Sequence, residues 1–225
     1  MCIRDSSRRI SGPRWNSLVF EKAVASIDEV LADPDVDVVS ICSPNFLHRE
    51  FALKAARAGI PFWIEKPMGV SDEESREIFE AARDAGIATS VGFNYRHAPA
   101  VQHLRALVSS GRLGHITNVR NWLIADYASS PEGPLTWRYS KERAGAGVVG
   151  HLLSHGIALV SYVTGQRFES VTATTGIFIP ERPIPTSVGV GHGGYEIGDE
   201  VGPVENEDYV AALAKLDGGA RATLE

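Results

Sequence analysis

The sequence predicts an α/β chain: a parallel sheet covered on both faces, then an α+β region with a mainly antiparallel, open sheet. Two observations carry this. Between Ser26 and Phe93, short β-branched runs alternate with capped amphipathic helices, the order that right-handed strand–helix–strand crossovers require. Beyond Ala100 the strands follow one another largely without crossover helices, which favours antiparallel pairing.

Each element has a local reason. Ser26 and Glu29 stand at capping-box spacing, and Ile27, Val30 and Leu31 form an apolar face, so a helix runs to about Asp33. Val36–Cys42 is a buried parallel-type strand, with Cys42 as a small core residue, ending at Ser43-Pro44-Asn45. His48–Ala58 is helical, with Phe51, Ala52, Ala55 and Ala56 inward and Gly59 closing it. Pro61–Ile64 is the second strand, ending at Glu65-Lys66-Pro67. Ser71 and Glu74 open a helix with Ile78, Phe79, Ala82 and Ala85 on its inner face. Ile87–Phe93 is the third strand, ending at Asn94-Tyr95-Arg96.

In the second part, Ala100–Val108 and the apolar Gly147–Val163 read as helices. Ile116–Ala125 and Val171–Ile179 read as strands. Tyr209–Leu216 and Ala220–Leu224 pair across a turn at Asp217-Gly218-Gly219, while Pro180–Pro203, rich in Gly and Pro, reads as a long loop. The expected organisation is a leader over 1–15, a first domain over 16–97 and a second over 98–225. The chain is expected to be cut at both ends.

Bulk properties exclude several function classes. A net charge of −6 without a sustained Lys/Arg run gives nothing to draw the chain to nucleic acid or an anionic membrane. No apolar stretch is read as approaching a membrane span. Two cysteines in 225 residues do not make a disulfide scaffold, so a reducing cytoplasm is expected.

In open α/β sheets, ligands bind outside the carboxyl ends of the strands. Three strand ends here carry polar or turn-forming clusters, around Asn45, Lys66 and Asn94. Any one could be an ordinary solvated strand end; three in succession point to a site on one sheet edge, and Lys66 is held between Glu65 and Pro67. Gly189–Gly194 matches G-x-G-x-x-G letter for letter, but follows three prolines and precedes no helical face, so it reads as a loop. No phosphate-binding loop of the strand–turn–helix kind occurs before Ser26.

Several segments together resemble a known family. Glu65-Lys66-Pro67, Ser43-Pro44-Asn45 with His48, Gly92-Phe93-Asn94-Tyr95-Arg96, Trp137-Arg138 and Gly145–His155 look like those of the Gfo/Idh/MocA oxidoreductases. The similarity runs from about Ser17 to Glu225. It implies a partial Rossmann domain, then an α/β domain whose open sheet mediates homo-oligomer contacts. It also implies hydride transfer between NAD or NADP and a sugar, polyol or related hydroxyl compound. By position, Lys66 would sit beside the nicotinamide and the reacting hydroxyl, where its pKa should fall, and His155 would be the general acid/base. Ser43, Pro44, Asn45, His48, Glu65, Lys66 and Asn94 would line the nicotinamide end, with Trp137 and Arg138 approaching from the second domain.

The chain departs from the family pattern at two positions. His151 stands where the family usually has an aspartate, and Ala158 where a second aspartate is common. His151 and His155 are spaced i and i+4 on one helix, so His151 is expected to orient His155 without a carboxylate's negative field. The spacing also suits two metal ligands, but no third ligand is evident and no metal is assigned. The alternative to an enzyme is a non-catalytic cofactor- or sugar-binding sensor of the same fold, which the missing aspartate keeps open.

Overall fold

The computed structural model describes residues 23–189 and 193–225, which group into two compact units divided between Gly92 and Phe93. The leader expected over 1–15 lies outside the described residues.

The first unit holds a three-stranded parallel sheet, β1 (Val39–Ile41), β2 (Phe62–Ile64) and β3 (Thr89–Val91), in that spatial order. Helices α1 (Ile27–Leu31), α2 (Asn45–Arg57) and α3 (Asp72–Asp84) precede or connect the strands. Both N-caps form: Ser26 Oγ accepts from Glu29 N and Ser71 Oγ from Glu74 N, while the Glu29 and Glu74 carboxylates accept from the amides of Ala25 and Val70, one residue before each cap. The core is Val39, Ile41, Phe62 and Ile64 from the sheet, with Ala52, Ala55, Ile78 and Ala82 from the helices.

Three expectations here are corrected. Cys42 is exposed, because Val39 and Ile41 take the inward positions and period-2 alternation turns residue 42 the other way, beside Ser40. Phe79 is exposed with Arg83 over its ring, and Ala85, at the helix end, is also exposed. The contact stripe of α3 is narrower than its apolar stripe.

The second unit is built on a four-stranded sheet of order β4-β9-β8-β5. Its strands are β4 (Asn118–Asn121), β5 (Phe168–Gly176), β8 (Tyr209–Leu216) and β9 (Arg221–Leu224). The β5–β8 and β8–β9 pairs are antiparallel and β4–β9 is parallel. One face buries Val210, Ala212, Ala214, Leu216, Ala222 and Leu224, while Val171 and Leu213 are exposed. Helices α4 (Pro99–Ser109), α5 (Lys141–Ala144) and α6 (Ser154–Thr164) complete the unit, with a π-helical turn, Val149–Leu153, leading into α6.

The stretch read as a long loop folds instead as an antiparallel hairpin, β6 (Glu181–Pro185) with β7 (Ile197–Pro203). Proline is tolerated there because β6 pairs on one edge only. The G-x-G-x-x-G look-alike lies between these strands, and its residues 190–192 are outside the described residues.

A second correction concerns apolar length. Lys141–Thr164 is long and apolar enough to cross a membrane by length and composition alone. It is interrupted at Gly145, where φ is 81°, and by the π turn, and α6 buries His155, Gly156, Ala158 and Val160.

Candidate functional site

In the first unit, adjacent parallel strands send the segments after β1 and β2 out from one sheet edge, so Ser43–Asn45 and Glu65–Pro67 are neighbours. Asn45 opens α2 and is buried, and Pro44 stands at the N-cap, where a missing N–H costs nothing. Ser43 Oγ is buried and finds no hydrogen-bond partner among the described residues. Lys66 is half-buried; its N–H donates to Glu65 Oε2 at 3.1 Å, and the Lys66–Pro67 peptide is cis. Gly92 closes this edge: a Cβ there would lie 2.6 Å from the Trp63 ring and 3.2 Å from Glu65 Oε2, so only glycine fits without displacement.

His48 differs from what the resemblance implies. Its side chain has 0% exposure, with Nε2 2.9 Å from the Ser43 carbonyl and Nδ1 2.9 Å from the Pro67 carbonyl. A ring so enclosed, with both nitrogens on protein backbone, presents no polar atom to a ligand. Burial pushes its pKa below the ordinary value, outweighing the upward pull of the two carbonyls and of Glu65.

Because the folded value lies below the unfolded one, the unfolded chain takes up this proton first as the pH drops. The His48 contribution is therefore present above about pH 6.5 and lost progressively below it. Urea denaturation at several pH values should show stability falling on acidification, with a shallower fall in His48→Asn.

In the second unit, His155 is buried near the start of α6, stacked on Tyr95 with centroids 4.4 Å apart and edge-on to Phe93 at 6.0 Å. Two sequence segments that are far apart in the chain thus meet, through Tyr95 and Phe93. Asn94 itself is exposed, in a 3₁₀ turn over Asn94–His97.

His151, on the π turn, has other neighbours: its ring meets Trp137 edge-on at 6.1 Å and borders a cavity of about 270 Å³. Tyr127, Arg138, Tyr139, Phe178 and Asn206 also line this cavity, whereas Trp137 and His155 do not. His151 and His155 thus pack against different aromatic side chains, Trp137 and Tyr95. Arg138 stacks on Trp137 at 4.5 Å. Burial lowers the Arg138 pKa, and burial is also the largest cause raising those of Tyr127 and Tyr139, leaving both phenols neutral donors at neutral pH.

Sequence reasoning missed what holds this cavity. Glu207 Oε1 accepts from the Gly147 and Val149 amides at 2.8 and 3.1 Å, and Glu205 Oε2 accepts from Lys141 N at 2.7 Å. Asn206, 2% exposed, donates to the Arg138 carbonyl at 2.8 Å. Asp208 accepts from the Phe178 and Ile179 amides. Gly147 is indispensable to the fit, since a Cβ there would overlap the Glu207 carbonyl oxygen. The polar run Glu205–Asp208, set between Val204 and Tyr209, was the available signal.

Arg182 was missed for a different reason. It lies in the stretch read as loop, yet is 1% exposed, stacks on Tyr139 at 4.5 Å and donates to the carbonyls of Ala128, Ser130 and Gly133. Nothing in its local sequence marks it. Among the described residues no group of three or more His, Cys, Asp or Glu is placed to hold a metal ion.

Comparison with known proteins adds three findings. A model described as "GFO/IDH/MocA C-terminal domain" matches residues 101–225, and one described as "Oxidoreductase family, NAD-binding Rossmann fold" matches residues 4–93. Levoglucosan dehydrogenase of Pseudarthrobacter phenanthrenivorans is 35% identical over 224 residues, 99% of this chain and 57% of that protein. The 1,5-anhydro-D-fructose reductase of Ensifer adhaerens is 34% identical over 142 residues, 63% of this chain and 42% of that protein. A solved levoglucosan dehydrogenase in complex with NADH and levoglucosan superposes with a TM-score of 0.82 at 34% identity, covering 91% of this chain and 51% of that one. The chain spans about half the length of the curated relatives it matches.

Proposed function

The chain belongs to the Gfo/Idh/MocA family of oxidoreductases, and from that membership we propose that it is part of an NAD-dependent dehydrogenase acting on a hydroxyl of a sugar, polyol or related compound. The observation that supports this best is that Lys66 and His155, the two proton-handling residues of the family pattern, are both present and both held: Lys66 through its backbone, His155 between aromatic rings.

The residues present fit the nicotinamide end of the cofactor. Ser43 keeps a buried hydroxyl without a hydrogen-bond partner among the described residues, on the sheet edge where such ligands bind. Ser43, Pro44, Asn45, Glu65 and Asn94 would line that end, and Trp137 and Arg138 would approach from the second unit. NAD, when bound, supplies the hydride acceptor. Lys66 would polarise the substrate oxygen and His155 would take the hydroxyl proton. The cavity beside His151, lined by the Tyr127 and Tyr139 phenols, is of a size to take a small ring bearing hydroxyl groups. The exposed thiol of Cys42 suits a reducing cytoplasm, and the open face of the four-stranded sheet suits a homo-oligomer.

The test is NADH formation by the complete protein over a panel including levoglucosan, myo-inositol and sugar acids, with NADP run in parallel. Turnover of at least one compound is expected, with NAD preferred. Ligand binding without turnover, and indifferent to His155→Asn, would instead favour the sensor.

A further inference from the structure

His48 has so far no task consistent with its position. A fully buried histidine is most often a satisfied core residue, and two features set this one apart. Its ring reaches the backbone of two separate strand-end segments, through the carbonyls of Ser43 after β1 and Pro67 after β2. It also acts where the backbone ladder thins out: Glu65 N still donates to the Ile41 carbonyl at 2.9 Å, but Pro44 and Pro67 beyond it have no N–H to contribute.

The consequence falls on Lys66. Its own N–H is held by Glu65 Oε2 at 3.1 Å, and the carbonyl one residue later is held by His48 Nδ1 at 2.9 Å. Val70 N, further along, is held by Glu74 Oε2 at 3.0 Å. The segment that carries Lys66 is therefore fixed on both flanks, and His48 is the one of these three holders that also ties it to the neighbouring strand end.

We propose that His48 is a positioning residue for Lys66: through the Pro67 carbonyl it fixes the backbone from which the lysine side chain extends. This rests on the dehydrogenase reading for its catalytic consequence, but not for its structural one. Carbonyl oxygens only accept, so the neutral ring donates to one carbonyl at a time and packs against the other, and the tautomer with Nδ1–H is the one that bonds Pro67. The Pro67 contact belongs to Nδ1, whose place an asparagine amide nitrogen takes; the Ser43 contact belongs to Nε2, whose place a glutamine amide nitrogen takes. The two substitutions therefore separate the two contacts.

Hydrogen–deuterium exchange and steady-state kinetics on the complete protein test the proposal. In His48→Ala, amides of Lys66–Val70 are expected to exchange about tenfold faster or more, with the amides of the second unit unchanged. His48→Asn should stay close to the parent, and His48→Gln should resemble alanine. Turnover should follow the same order, falling about tenfold or more in His48→Ala, since displacements of about an ångström cost that much. The NADH dissociation constant, read by fluorescence, should change less than about threefold, a separation that a general loss of structure would not produce. Unchanged exchange at Lys66–Val70 in His48→Ala, or equal protection by Gln and Asn, overturns the proposal. If the parent turns over nothing in the panel, the dehydrogenase reading fails and the exchange measurement alone decides the role of His48.

Discussion

Replacing Lys66 by alanine or methionine is expected to lower turnover about a hundredfold or more while leaving the fold and NADH affinity nearly intact. Positioned groups that move or polarise a proton contribute roughly 10²–10⁴-fold. Lys66 is half-buried and outside both hydrophobic clusters, so its removal opens no core cavity. His155→Asn should give a loss of similar size, with less steric damage than alanine because His155 is packed between Phe93 and Tyr95. Thermal unfolding and NADH titration on the same samples separate chemistry from stability. A loss under about fivefold in both variants would remove these residues from the reaction.

Arg182→Ala is expected to destabilise the second unit by about 3 kcal/mol or more. The guanidinium donates to three backbone carbonyls and covers the Tyr139 ring. Its loss strands those acceptors, at about 1–3 kcal/mol for each one left buried, and opens a void. An isolated two-stranded hairpin is marginal in water, so β6–β7 depends on such an anchor. Arg182→Lys should recover little, since an ammonium cannot span carbonyls set apart for a fork. Urea denaturation gives the number; a change under about 1 kcal/mol would mean that water serves these carbonyls equally well.

What was legible in the sequence was whatever is encoded locally. Ser26 with Glu29 and Ser71 with Glu74 set helix starts that the structure reproduces to the residue. Parallel strands in chain order brought the segments around Asn45 and Lys66 to one edge, because strand direction alone decides which ends coincide. Illegible were features fixed by partners distant in the chain. The hairpin of β6 and β7 was hidden by Pro183 and Pro185, whose penalty applies only where both edges of a strand are paired. The stacking of Tyr95 on His155 joins residues sixty positions apart, and Arg182 reaches fifty residues back to its carbonyls.

Glu205–Asp208 braces the cavity beside His151. Its side chains hold the Lys141, Gly147, Val149, Phe178 and Ile179 amides and the Arg138 carbonyl, and so tie opposite sides of the cavity to a single span of chain. A wall braced in this way does not reshape itself around its occupant. On the dehydrogenase reading proposed above, selection among ring isomers would work by exclusion, and little conformational entropy would be lost when the right one enters. Over evolutionary time, new substrate preferences would come from exchanging Tyr127, His151 or Phe178, the replaceable facing of the cavity, while the four-residue brace behind them stays as it is.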